Sequence, residues 1–146
     1  MGKQLYWGVL LCLASLSFSG QAQQLEEKSE DYTEAIIFPM QQEHVHSPTI
    51  AELPNGDLLA AWFQGSGERW ADDVRIMGAR LKDGSNRWTK PFLMADVAGF
   101  PDVNPVLFVD QQERLWLMWY AVLANQWESS LLKYRISEKF DGEAAP

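Results

Sequence analysis

Asp72 and Asp73 stand side by side at the end of the stretch GSGERWADD, residues 65–73. Adjacent carboxyls are one way to make a general acid, because the charge of one raises the pKa of the other toward the value the task requires. On an extended backbone only one of two neighbours can point into a site. Asp72 is the better candidate, since Asp73 immediately precedes Val74 and can serve the entry to a strand. The plainer reading leaves both as solvated charges. His44 and His46 are two residues apart and share one face of an extended segment. They could contact a sugar, assist as acid or base, or hold local structure through hydrogen bonds. No third ligand at a recognisable spacing accompanies them, so no metal or cofactor is expected. Trp70 and Trp127 could stack against a sugar ring or pack their loops down. Asn104 could hydrogen-bond sugar hydroxyls or cap the turn before Pro105. Glu68 and Glu128 read as solvated loop charges.

These residues need a scaffold, and the chain writes its scaffold twice. HSPTIAELPNGDLLAAWF (46–63) and VNPVLFVDQQERLWLMWY (103–120) align at an offset of 57, with Pro48 on Pro105, Leu58 on Leu115 and Trp62 on Trp119. Ile50 and Phe63 fall on Leu107 and Tyr120, and a polar turn divides each half. Pro54-Asn55-Gly56-Asp57 is a strong hairpin signal. Strands are expected over 49–53, 58–63, 74–81 and 88–95, the last at a sheet edge because it contains Pro91. A second unit supplies 105–109, 115–122 and 131–136 before the sequence ends at Pro146. Four strands in meander order, followed by the same pattern begun again, are the signature of a β-propeller. An all-β sandwich with accidental self-similarity would leave the repeat unexplained. An α/β fold does not fit, because no segment between strands has an apolar period long enough for a crossover helix. A closed propeller needs about four to eight blades. The chain is therefore expected to be the N-terminal part of a longer protein, with the first blade and most of the second.

Ahead of the repeat, residues 1–22 read as a secretory signal peptide. Lys3 gives a positive start, Leu5 to Phe18 is mostly apolar, and Gly20-Gln21-Ala22 offers small residues for cleavage. The run is too short for a membrane span. Residues 23–42, opening with QQLEEKSEDYTE, are expected to be a flexible leader to a propeller part at 43–146. Cys12 is the single cysteine and leaves with the signal, so packing alone would hold the exported protein. The formal charge of −8 becomes −9 once Lys3 is removed. So acidic a chain is a poor binder of nucleic acid or anionic membrane. It is expected in the periplasm or outside the cell; no pattern sets an oligomeric state.

A meander alternates its loops between two ends. Short turns at 54–57, 82–88 and 111–114 share the bottom end. Segments 43–46, 65–73, 99–104 and 124–129 share the top, which holds every candidate above. Function is carried by such loops on a rigid scaffold.

One bottom turn, LKDGSNRW (81–88), resembles a worn Asp-box, the Ser-x-Asp-x-Gly-x-Thr-Trp turn of sialidase-type propellers. Asp83 and Trp88 are kept; Leu81, Ser85 and Arg87 depart from the pattern. With LPNGDLLAAWF, ADDV and NPVLF, it makes the chain from His44 to Ile136 similar to the bacterial sialidase-like (BNR-repeat) superfamily of six-bladed propellers. The box would be structural, its aspartate capping backbone N–H groups and its tryptophan packing beneath. The resemblance implies an exo-glycosidase acting on terminal sugars of glycans. It places a general-acid aspartate on the loop between the second and third strands, where this chain has Asp72 and Asp73. It also implies an Arg-Ile-Pro motif whose arginine helps bind a sugar carboxylate; here that place is His46-Ser47-Pro48. An imidazole does not replace a bidentate guanidinium, so the resemblance does not carry sialic acid over as the substrate, and the sugar stays open. The remaining arginines and the tyrosine nucleophile that the resemblance implies would fall beyond Pro146. Two other classes share the pattern: a non-catalytic propeller that binds glycan or protein, and a polysaccharide lyase with His46 as base.

Overall fold

The computed structural model describes residues 27–28, 32–139 and 142. The expected signal peptide lies outside the described residues. A two-residue pair, β1 (Glu27–Lys28) with β2 (Thr33–Glu34), comes first. The first large sheet is β3 (His44–Glu52), β4 (Leu58–Gly65), β5 (Arg75–Leu81) and β6 (Phe92–Ala95), antiparallel in chain order. The second is β7 (Asp102–Val109), β8 (Leu115–Val122) and β9 (Ser130–Ser137), again a meander. Two short 3₁₀ turns, 123–125 and 127–129, join β8 to β9. The fold is an all-β propeller with one complete blade and three strands of the next. No helix among the described residues is long and apolar enough to cross a membrane.

The offset of 57 recurs in the backbone. Leu53 N–H donates to Asp57 O at 2.8 Å, and Asp110 N–H donates to Arg114 O at 3.0 Å. Gly56 and Glu113 hold matching turn positions at φ 85° and 58°. A left-handed residue there lets the hairpin close without splaying its strands. Upstream, Ser47 (φ 54°) and Asn104 (φ 51°) occupy matching bulges, between His46 and Thr49 and between Val103 and Val106. Each bulge takes up the proline that follows, which has no N–H for the ladder. The inner strands therefore continue past Pro48 and Pro105. β3 begins at His44 and β7 at Asp102, earlier than the expected 49 and 105. The histidines and Asn104 lie in strands, where the sequence pattern suggests loops. β6 is shorter than the expected 88–95, and Trp88 reaches Leu81 only through an isolated bridge.

β4 is apolar on both faces because it is covered on both. Leu59, Ala61 and Phe63 face the seam between the sheets, where Val74 and Ile76 meet Val103, Leu107, Leu117 and Trp119. Ala60 and Trp62 face the other way, with Ala79 and the half-buried Met77 and Trp88. Phe38 closes this side, its ring 4.6 Å from that of Trp62. The end of the expected leader thus docks on the first blade. On the far side of the second sheet, Trp116 lies between Phe108 and Tyr134 at 5.7 and 5.5 Å. That aromatic face is open, with Phe108 38% and Tyr134 62% exposed. In a propeller it is the face that meets a following blade.

At the bottom, the capping part expected of Asp83 is taken by Asp57. Its Oδ1 accepts Asp83 N–H at 3.0 Å and its Oδ2 accepts Arg80 Nη1 at 2.9 Å. Burial alone would raise Asp57, but the bonds from Asp83, Arg80 and Asn55 outweigh it and hold the carboxyl below its ordinary 3.8. Asp110 is likewise held low, as bonds from Trp116, Arg114 and Gln112 overcome its desolvation. Asp102 goes the other way: burial pushes it up despite bonds from Val97 and Trp119. A depressed carboxyl stabilises the fold above its unfolded pKa and loses that contribution as pH falls. Asp102, being raised, adds stability as pH falls through its folded value. We expect a shallow gain on mild acidification, then a steep loss below about 3.9. Denaturant midpoints across the acid range will show it, and Asp110→Asn should flatten the steep limb.

Candidate functional site

The two ends of the blades differ in chemistry. His44 pairs with Gly65, and Asp102 with Ala121, at the top. Asp102 N–H donates to Val74 O at 2.9 Å, so the top of the first blade is tied to the start of the second. A cleft of about 690 Å³ lies at the bottom between the hairpin turns, against Pro54, Asn55, Gln112, Glu113, Arg114 and Glu138. Arg114 is already paired with Asp110 at 2.8 Å, and no set of groups among the described residues converges on this cleft for chemistry. The top is the better candidate.

Between β4 and β5 the loop 66–74 leaves through a narrow neck. A Cβ on Gly65 would stand 2.7 Å from Val74 Cα, so only glycine allows the approach. Asp73 closes the neck: its carboxylate accepts the Ser66 N–H at 3.1 and 3.2 Å and the Ser66 hydroxyl at 2.8 Å. The hydroxyl bond is the main reason its carboxyl is held below its ordinary value. For Asp73 this reverses the upward shift expected from a neighbouring charge. Asp72, beside it, is exposed and makes no hydrogen bond or ion pair among the described residues. One aspartate builds the loop and the other is left presented to solvent.

His44 and His46 stack at 5.6 Å, both against Phe63. His44 Nε2 lies 3.3 Å from Glu68 Oε1. It is out of line for a hydrogen bond there, and this covered nitrogen has no hydrogen-bond partner among the described residues. Glu68, expected as a solvated charge, is thus drawn to the histidines. Behind them Trp62 Nε1 donates to Gln64 Oε1 at 3.0 Å, Gln64 Nε2 to Glu43 at 2.8 Å, and Arg75 approaches Glu43 at 3.3 Å. This chain of bonds fixes the backbone leading into β3. Among the described residues no group of three or more His, Cys, Asp or Glu gathers as a metal site.

Trp70 and Trp127 come from different blades and meet around Arg69. Its guanidinium lies 5.5 Å from the Trp70 ring centroid and 5.7 Å from that of Trp127. Arg69 was missed in the sequence; its only signal was a cation between Glu68 and Trp70 in a loop rich in chemistry. Asp102 was missed too. It is fully buried beneath the top, accepting Val97 N–H at 2.5 Å and Trp119 Nε1–H at 2.7 Å. Asn104 sits two residues on in the bulge, half-buried. Through these bonds Asp102 ties β7 to Val97 and to Trp119 on β8 beneath the top loops.

No curated protein matches the sequence. Among solved structures, the chain is similar to a Dyadobacter fermentans protein of unknown function, with 18% identity and a TM-score of 0.51, over 59% of this chain and 26% of that one. It is also similar to the Hadza microbial sialidase Hz136, at 15% identity and a TM-score of 0.53, over 64% of this chain and 23% of that one. The chain therefore spans about a quarter of the length of the structures it matches. At these identities the likeness is one of fold. The model of the BNR repeat-like domain matches residues 56–143, from the first hairpin turn through the last strand. With more than half of its length so matched, the chain belongs to the BNR repeat-like domain family.

Proposed function

We propose that the top face belongs to an exported glycoside hydrolase that removes terminal sugars from glycans, with Asp72 as its general acid. One observation carries the reading. Of the two aspartates on the loop between the second and third strands, Asp73 is tied to Ser66 while Asp72 is exposed and unpartnered among the described residues. A general acid must reach the leaving oxygen and give up a proton there; of the two, only Asp72 is free to do so. His44, His46, Trp70, Trp127 and Asn104 would surround the sugar, with the nucleophile supplied by later blades. His46 packs at a tilt against Phe63 where the resemblance implied an arginine, which favours a sugar other than sialic acid at that position.

A second reading, a non-catalytic glycan-binding propeller, is favoured by the exposed tryptophans Trp70 and Trp127, which offer stacking surface without chemistry. Product analysis separates the readings. The hydrolase should release a terminal sugar as a reducing monosaccharide from a glycan panel. Tight binding with no release would favour the binder, and an unsaturated product absorbing in the near ultraviolet would identify a lyase.

A further inference from the structure

Arg69 is placed for a ligand. Arg75, Arg80 and Arg114 each have a carboxylate partner, in Glu43, Asp57 and Asp110. Arg69 has no hydrogen bond or ion pair among the described residues, although its guanidinium carries five N–H donors. Both indoles lie within the range of cation–π attraction, and they come from opposite sides of the seam. Trp70 and Trp127 remain 57% and 44% exposed, so both indoles can be reached from solvent. The pose of Trp70 is set by Gly67, where a Cβ would stand 2.7 Å from the indole Nε1.

Resting on the reading of the top face as a glycan site, we propose that Arg69, held between Trp70 and Trp127, grips the carboxylate of a uronic-acid unit in an acidic glycan. A planar guanidinium with a free edge pairs fork-to-fork with a planar carboxylate. Flanking indoles exclude water from that pair and offer a flat surface to the ring that bears the carboxylate. The surroundings argue for a single, well-aimed contact. Glu68, Asp72 and Glu128 are close in sequence to the clamp residues, so a diffuse attraction to polyanions has no basis. A uronate ring combines one planar charge with one stackable ring, which is what this clamp can hold.

The test is calorimetric titration of the intact protein with trigalacturonate, its neutral methyl ester, and sialyllactose. Trigalacturonate should bind about tenfold or more tighter than the ester, the scale of a charged hydrogen-bond pair. Arg69→Met and Arg69→Lys should each remove that preference and leave ester binding unchanged, because lysine keeps the charge without the fork. Equal affinity for acid and ester, absence of trigalacturonate binding, or Arg69-dependent binding of sialyllactose alone would each overturn the proposal. So would a lowered melting temperature in Arg69→Met with trigalacturonate affinity intact, the mark of a clamp between blades. If Arg69→Met does not fold, the acid–ester comparison on the unaltered protein and Arg69→Lys still decide. Arg69-dependent binding in a protein that hydrolyses nothing would sink the hydrolase reading and leave the subsite standing. Hydrolysis of neutral glycans with no uronate preference would do the reverse.

Discussion

Asp72→Asn is expected to slow turnover by the intact protein about 10²–10⁴-fold, the usual contribution of one positioned general acid, with no change in melting temperature. Asp72 is exposed and holds nothing in place among the described residues, so the fold does not depend on its charge. Asp73→Asn should behave in the opposite way. Its carboxylate takes three contacts from Ser66, and an amide offers one acceptor oxygen in their place. The expected cost is about 1 kcal/mol of stability, with turnover little altered. Steady-state kinetics and thermal melts on both variants check the division of labour. Normal turnover in both would move the acid off this loop, and a collapse in Asp73→Asn alone would exchange their roles.

Asp57→Ala is expected to destabilise the protein by about 3–5 kcal/mol, the range for removing one partner of a buried ion pair. Asp57 and Arg80 meet at 2.9 Å with side chains 9% and 0% exposed. Removing the carboxylate takes away the charge that meets a buried guanidinium at 2.9 Å and also frees Asp83 N–H in the adjacent turn. The double substitution Asp57→Leu with Arg80→Met should recover much of the loss, since an apolar pair needs no counter-charge. The folded Asp57 carboxyl sits below 3.8, so the deficit of Asp57→Ala should shrink as pH falls through that region. Denaturant midpoints measure both effects. A loss under about 1 kcal/mol would place the pair with exposed ion pairs.

Much of the architecture was legible because the repeat is written in side chains and obeyed by the backbone. The alignment of Pro48 on Pro105 predicts the meander, and the same offset carries the turn at Gly56 onto Glu113. The expected 115–122 strand is β8 itself. The inner strands were cut short because proline in a strand reads as a break. Only the positive φ of Ser47 and Asn104, which composition does not announce, turns that break into a bulge. The site was legible as a set of loops and less so as a set of contacts. Asp72 and Asp73 are neighbours in sequence with different work, decided by Ser66 on the far side of the loop. Arg69 gains its meaning from Trp127, which lies in the other blade. Asp102 drew no notice within the segment 99–104, because its meaning comes from Trp119 and Val97, which close over it. Local spacing predicts what a segment is, and long-range packing decides which of its polar groups remain free.

Leaving-group dependence tests the role of Asp72 most directly. A general acid matters in proportion to how much its leaving oxygen needs a proton. With the sugar held constant, nitrophenyl glycosides leave readily without protonation, whereas alkyl glycosides do not. The account predicts that Asp72→Asn loses most of its rate on alkyl glycosides and little on nitrophenyl glycosides. Its rate should then depend steeply on leaving-group pKa where the unaltered protein shows a shallow dependence. A loss of equal size on every leaving group would contradict it, because a residue that only binds or shapes the site cannot tell one leaving group from another.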